Sequence, residues 1–251
     1  MPYDVNIDQF ALRTGINADR LRRNLETYQA LAELFPLLEA SRCKVGMFGG
    51  TAINKIYFGK AQRLSYDIDI FAYDYQRTIK ILKENGAFAK YSAAVTWSRK
   101  VTATKMSFKD VILDVVDAKN IAEQPAKMQA FDLLYYMGQL VPPVVVPSYS
   151  LEYLLAHKTL AMLDRHEMKD IYDMWFGIRL MKEKVAYYRE LRKLAKQRKT
   201  EDLAVYTDFQ LRIMISNIEY YKYKRIEVVS QPDTGIMLRE IKAFMDRLLV
   251  S

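Results

Sequence analysis

Between Asp8 and Leu38 the apolar residues recur at three- and four-residue steps, through Leu21, Leu25, Tyr28, Leu31 and Phe35, which predicts a long amphipathic helix with Pro36 near its end. A short helix over Asp8 to Arg13 and a turn at Thr14-Gly15-Ile16-Asn17 precede it, a pairing read as a packing hairpin and not as a DNA reader. The period then changes. Lys44 to Phe48 is a short apolar run closed by Gly49-Gly50, and Ile53, Ile56 and Tyr57 return to helical spacing over Ala52 to Phe58. Alternation over Leu64 to Tyr73 predicts a strand, Tyr75 to Asn85 a helix stopped by Gly86, and Val95 to Asp117 three β-rich runs. From Ala126 onward helices are expected to dominate, interrupted at Pro142, Pro143 and Pro147. Further helices are predicted over 150–164, 168–185, 186–197, 202–221 and 234–249. The expected organisation is a mixed α/β domain over residues 1–145, its leading helices included, and a helical domain over 146–251, with the boundary between Val141 and Ser148.

Composition narrows the function classes. With 51% hydrophobic and 27% charged residues among 251, the chain is globular, and a single cysteine, Cys43, excludes both a disulfide framework and a thiolate zinc cluster. Two histidines, His157 and His166, are too few and wrongly spaced for a histidine-based catalytic zinc site, so carboxylates are left for any metal work. No signal peptide is visible and no stretch is long and apolar enough to span a membrane, which sets the expectation of a cytoplasmic protein. The net charge of +8 points toward a polyanionic partner, and residues 179–199 concentrate it, with nine basic residues against Glu183 and Glu190. Tyr187 and Tyr188 lie in that segment, a combination that suits an RNA end. Tyr66, Trp97 and Trp175 are read as core aromatics.

The chemistry centres on Asp67-Ile68-Asp69. On a strand, side chains two apart share a face, so Asp67 and Asp69 point together while Tyr66, Ile68 and Ile70 take the other side. Adjacent anions on a rigid support call for a counter-charge, and magnesium or manganese suits such hard oxygen ligands. Of the two acids in Val111 to Asp117, Asp114 is chosen as the third, because it falls mid-strand among hydrophobes where burial without a role is costly. Gly49-Gly50-Thr51 ahead of a helix offers backbone N–H groups and a hydroxyl to a triphosphate. Arg63 and Ser65 share strand parity with Asp67 and are expected to face the same side. Leu151, Leu155, Lys158 and Met162 form one stripe, so Lys158 sits among apolar residues and needs an anion; Asp170 and Asp173, three apart on the next helix, can pair with Lys158 or Arg165.

A glycine turn, an Asp-x-Asp pair and a later acid resemble the nucleotidyltransferase superfamily of DNA polymerase beta. More narrowly, Phe48-Gly49-Gly50-Thr51-Ala52-Ile53 followed by Arg63-Leu64-Ser65-Tyr66-Asp67-Ile68-Asp69 is similar to the AbiEii/AbiGii toxin family, whose MenT relatives are tRNA nucleotidyltransferases. The block from Lys158 to Arg165 and Lys169-Asp170-Ile171-Tyr172-Asp173 resembles that family's later helices. The resemblance implies an NTP substrate, metal ligation by Asp67, Asp69 and Asp114, and nucleotide contacts from Gly49, Gly50, Thr51, Arg63, Ser65 and Lys158. It also implies a catalytic role for Asp173 in orienting Lys158, a cleft between the domains, an RNA or tRNA acceptor and a cognate antitoxin. Three other readings stay open at this stage: a small-molecule acceptor of the aminoglycoside kind, a protein acceptor, and a catalytically silent binding module of the same fold.

Overall fold

In the computed structural model, residues 5–91, 102–200, 202–222, 224, 226–230 and 232–249 are described. Trp97 and the first part of the expected β-rich region therefore lie outside the described residues. The chain forms two compact units, Met1–Tyr149 and Ser150–Ser251.

The first unit runs α1 (Ile7–Thr14), α2 (Ala18–Ala40), β1 (Val45–Phe48), α3 (Gly49–Tyr57), β2 (Asp67–Ala72), α4 (Tyr75–Glu84), β3 (Phe88–Tyr91), β4 (Ala103–Phe108), β5 (Val111–Asp117), β6 (Ala126–Ala130), α5 (Leu133–Tyr136) and β7 (Val144–Ser148). The Asn17 side chain opens α2 by accepting from the backbone N–H groups of Asp19 and Arg20. The stripe read from the sequence, Leu21, Leu25, Tyr28, Leu31 and Phe35, is buried along its whole length. Among the described residues the sheet has seven strands in the order β3-β4-β5-β2-β1-β7-β6. β2 therefore runs through its middle, antiparallel to β1 and parallel to β5.

Two expectations are corrected here. Helices do dominate from Leu151 onward, but residues 126–149 are not mainly helical, because Ala126–Ala130 and Val144–Ser148 pair antiparallel as β6 and β7, and Met47 of β1 pairs in parallel with Ser148. Val144-Val145-Val146 has the β-branched character for this, but its partners are remote in sequence and the neighbouring prolines make it read as a linker. Nor does the strand begin at Leu64. Residues 62–66 are irregular, buried as far as Ser65 and half-buried at Tyr66, which was expected in the core, and β2 starts at Asp67.

The second unit contains α6 (Leu151–Arg165), α7 (Met168–Leu180), α8 (Lys184–Gln197), α9 (Leu203–Ser216), α10 (Ile218–Lys222) and α11 (Thr234–Leu249). Tyr187 is fully buried, and its hydroxyl shares a 2.7 Å hydrogen bond with Thr159, so it is a core residue and only Tyr188 of the pair reaches the surface region. Trp175 is half-buried, with its indole N–H donating to Glu240 and the Arg179 guanidinium 3.6 Å from the ring centroid.

His157 of α6 gives this unit a pH-dependent stability. Burial pushes its imidazole from 6.5 down to about 4, and the Arg198 and Lys193 cations add to that. Between those values the unfolded chain binds a proton that the folded chain refuses, so stability is full above pH 6.5 and is lost as pH falls toward 4. The loss is on the order of 2–3 kcal/mol. Urea unfolding followed at pH 7, 5.5 and 4.5 is expected to show this slope, and His157→Gln to flatten it; parallel slopes in the two proteins count against the assignment.

Candidate active site

Strand parity places the central acids. Ile68 and Ile70 are fully buried while Asp67 and Asp69 are half-buried, so the two carboxylates take the face opposite the packed one. In the parallel pairing of β2 with β5, Asp69 stands opposite Asp114 and Asp67 opposite Ile112, which brings Asp114 onto that same face. Burial pushes the Asp114 carboxyl above the ordinary carboxylate range. The Lys105 ammonium, 3.4 Å away, opposes the rise, and the negative charge of Asp67 adds to it.

The glycine turn is part of this face. Phe48 pairs with Asp69, and α3 begins at Gly49 itself, one turn earlier than the apolar spacing suggested. Gly49 has a φ of 76°, and a Cβ there would meet Asp69 Oδ2 at 2.1 Å. Only glycine lets the Asp69 carboxylate lie over this backbone. Gly49→Ala is expected to cost about 1–2 kcal/mol in backbone strain alone. It should also displace Asp69 and lower transfer by about 100-fold, as measured by melting temperature and turnover on the same preparation. Unchanged turnover would show that the position of Asp69 is not set by this contact.

Thr51 lies within α3 and is buried, its hydroxyl donating to the Asp67 carbonyl oxygen at 2.7 Å and standing 3.4 Å from Asp67 Oδ1. It thus anchors the start of β2. Arg63 and Ser65 are not on the strand, so parity does not place them. Their segment hangs on two helices: Arg63 N–H donates to Asn54 Oδ1 at 2.9 Å, and Ser65 N–H to Asn24 Oδ1 at 3.1 Å. The Ser65 hydroxyl is buried with no hydrogen-bond partner among the described residues.

Behind this segment lies a buried network that no sequence pattern singled out. Lys55 of α3 donates to Asp132 Oδ2 at 2.6 Å and to Asn24 Oδ1 at 2.9 Å, and Asn24 also donates to Asp132 at 2.8 Å. Lys55 and Asp132 are fully buried. Desolvation lowers the Lys55 pKa, with Asp132 opposing. A pair this dry persists only because its remaining donors and acceptors are satisfied, Asp132 Oδ1 by the N–H of Leu134 and Asn24 by Ser65. The Asp132 signal was available, since an acid just before Leu133-Leu134 is a helix cap.

In the helical unit, Lys158 is 6% exposed and lies 2.9 Å from Asp170 Oδ1 and 3.0 Å from Asp173 Oδ2. Asp170 also meets Arg165 at 2.8 Å. Both aspartates are fully buried, so the structure joins the two acids to one lysine without choosing between them.

Carboxylate oxygens of Asp67 and Asp69 beside a backbone that no Cβ obstructs fit a hard divalent cation. Asp114 shares their face but is engaged with Lys105, and among the described residues no group of three or more His, Cys, Asp or Glu is gathered closely enough to hold a metal ion.

A mixed sheet with paired carboxylates on its central strand, next to a glycine bend that opens a helix, defines a nucleotidyltransferase. The chain belongs to the AbiEii family, the nucleotidyl transferase toxins of type IV toxin–antitoxin systems, whose sequence profile matches residues 38–249. Among solved structures it is similar to MenT4, a nucleotidyltransferase toxin of Mycobacterium tuberculosis H37Rv, at 14% identity and a TM-score of 0.57, over 96% of this chain and 90% of that one. It is also similar to the antibiotic-resistance factor ANT(2'')-Ia, at 14% identity and a TM-score of 0.50, over 70% of this chain and 96% of that one. At such identity both likenesses concern the fold. No curated protein sequence matches the chain. Among the described residues no helix is long and apolar enough to cross a membrane.

Proposed function

We propose that the chain transfers a nucleoside monophosphate from an NTP to a hydroxyl at an RNA end, with tRNA the first candidate, as the toxin of a type IV toxin–antitoxin or abortive-infection pair. The observation that carries this reading is the shared face of Asp67, Asp69 and Asp114 beside Gly49. Asp67 and Asp69 would hold magnesium or manganese, which when bound neutralises phosphate charge. The first-turn amides of α3 at Gly49 and Gly50, with Arg63 and the Ser65 hydroxyl, are assigned to the phosphates. Thr51 keeps Asp67 in place. In the helical unit, Lys158, oriented by Asp173 and Asp170, is proposed as a phosphate-binding residue. In support, two buried carboxylates fix its ammonium where apolar residues would pack at less cost.

The acceptor hydroxyl attacks the α-phosphorus, its proton passes to Asp114, and the bond to pyrophosphate breaks. Positioning supplies most of the acceleration, and no covalent intermediate on the protein is needed. For the acceptor, the supporting observation is α8. Arg189, Arg192, Lys193 and Lys196 are exposed along it, and the Arg192 guanidinium lies 5.5 Å from the Tyr188 ring centroid, a surface suited to a phosphate backbone. A cognate antitoxin is the expected protein partner, and the cytoplasm, where NTPs and tRNA meet, the expected compartment.

Incubation with each α-labelled NTP and magnesium, in parallel with total RNA, lysate protein and aminoglycosides, tests the acceptor. Label is expected in a small-RNA band and to vanish with chelator. Label confined to protein or to aminoglycoside overturns the RNA assignment.

A further inference from the structure

The hairpin of β4 and β5 adds a residue to the carboxylate face. Its two-residue turn, Lys109-Asp110, has positive φ at both positions, 49° and 63°. That is the primed geometry which matches strand twist and locks register. Phe108 then pairs with Val111, and three steps back Lys105 pairs with Asp114. Since β5 carries the same row on to Asp69 of β2, three adjacent strands present Lys105, Asp114 and Asp69 side by side. Directly opposed residues stand roughly 4.5–5.5 Å apart at Cβ, so a lysine has ample length to reach its neighbour. The ammonium lies 3.4 Å from Asp114 Oδ2, the pair being 41% and 29% exposed.

Three carboxylates on one face, with an incoming triphosphate, carry more negative charge than a single divalent ion offsets, and two-metal sites answer this with a second ion. Here the third carboxylate already faces a cation supplied by the chain. Resting on the nucleotidyltransferase reading above, we propose that Lys105 takes the place of a second divalent ion. It neutralises Asp114 from within the protein and leaves Asp67 and Asp69 to hold a single one. Lys105 acts as a positioning residue: it holds the Asp114 carboxylate in place for the acceptor hydroxyl and keeps it out of metal coordination.

The test is Mn2+ titrated into the nucleotide-free full chain, with free ion followed by electron paramagnetic resonance. Wild type is expected to bind one ion per chain, lost in the Asp67→Asn/Asp69→Asn double variant. Lys105→Ala is expected to bind two and Lys105→Arg one. A salt bridge this exposed contributes little to stability, so Lys105→Ala keeps its fold and its melting temperature serves as the control. Two ions in wild type, or one in both wild type and Lys105→Ala, overturns the role of Lys105 and leaves the transferase reading standing. No ion in either protein overturns the role too, but by removing the cation from Asp67 and Asp69 on which both readings depend.

Discussion

Asp69→Asn is expected to lower nucleotidyl transfer by at least about 10³-fold, the scale on which a preorganised charge at a reacting phosphate acts. The fold should survive. Asparagine keeps the shape of the side chain over Gly49, and its neighbours Ile68 and Ile70, which anchor the strand, are untouched. Removing one of several carboxylates on a single face also relieves repulsion, so the melting temperature should hold or rise slightly. Turnover with labelled NTP, read beside a thermal unfolding curve, separates the outcomes. A folded Asp69→Asn protein with wild-type turnover would refute the catalytic face altogether, since Asp69 is the acid that touches the glycine bend and pairs with Asp114 in register.

That face was legible because a strand has a period of two. Once Ile68 and Ile70 are assigned to the core, Asp67 and Asp69 have one side left to occupy; Asp114, chosen over Asp117 for the cost of burying it mid-strand, joins them through the register of β2 with β5. What lies beyond one strand was less legible. Alternation through Arg63, Leu64 and Ser65 looks like more of β2, yet those residues have no ladder partners. The N–H groups of Arg63 and Ser65 are taken by Asn54 and Asn24, side chains 9 and 41 residues away in sequence. β6 and β7 were missed for a related reason: Ala126-Lys127-Met128-Gln129-Ala130 has no strand signature of its own, and tertiary pairing decides its state. Lys55 and Asp132, 77 residues apart, meet only once α3 and the cap of α5 are folded. Lys105 was missed as well: once the Lys109-Asp110 turn is known, counting outward puts it opposite Asp114, but Lys-Asp carries no glycine or asparagine to announce such a turn.

Lys158→Met is expected to destabilise the helical unit by about 3–5 kcal/mol, the cost of stranding buried carboxylates without their cation. The lysine bridges Asp170 and Asp173, neither of which has any exposed surface, and Arg165 meets Asp170. Methionine would fill much of the volume, but Asp173 would lose the ammonium at 3.0 Å and stay as a buried carboxylate with one counter-charge fewer. For a chain of this length the loss corresponds to a drop on the order of 10 °C in melting temperature. Adding Asp173→Asn should restore most of it, because the Arg165–Asp170 pair then remains as a neutral unit. Transfer separates packing from chemistry. If Lys158 also holds the triphosphate, Lys158→Met/Asp173→Asn regains its melting temperature while turnover stays low and the KM for NTP stays high. Recovery of both together would reduce Lys158 to a structural cation, and an unaltered melting temperature in Lys158→Met would show that the buried aspartates do not depend on it.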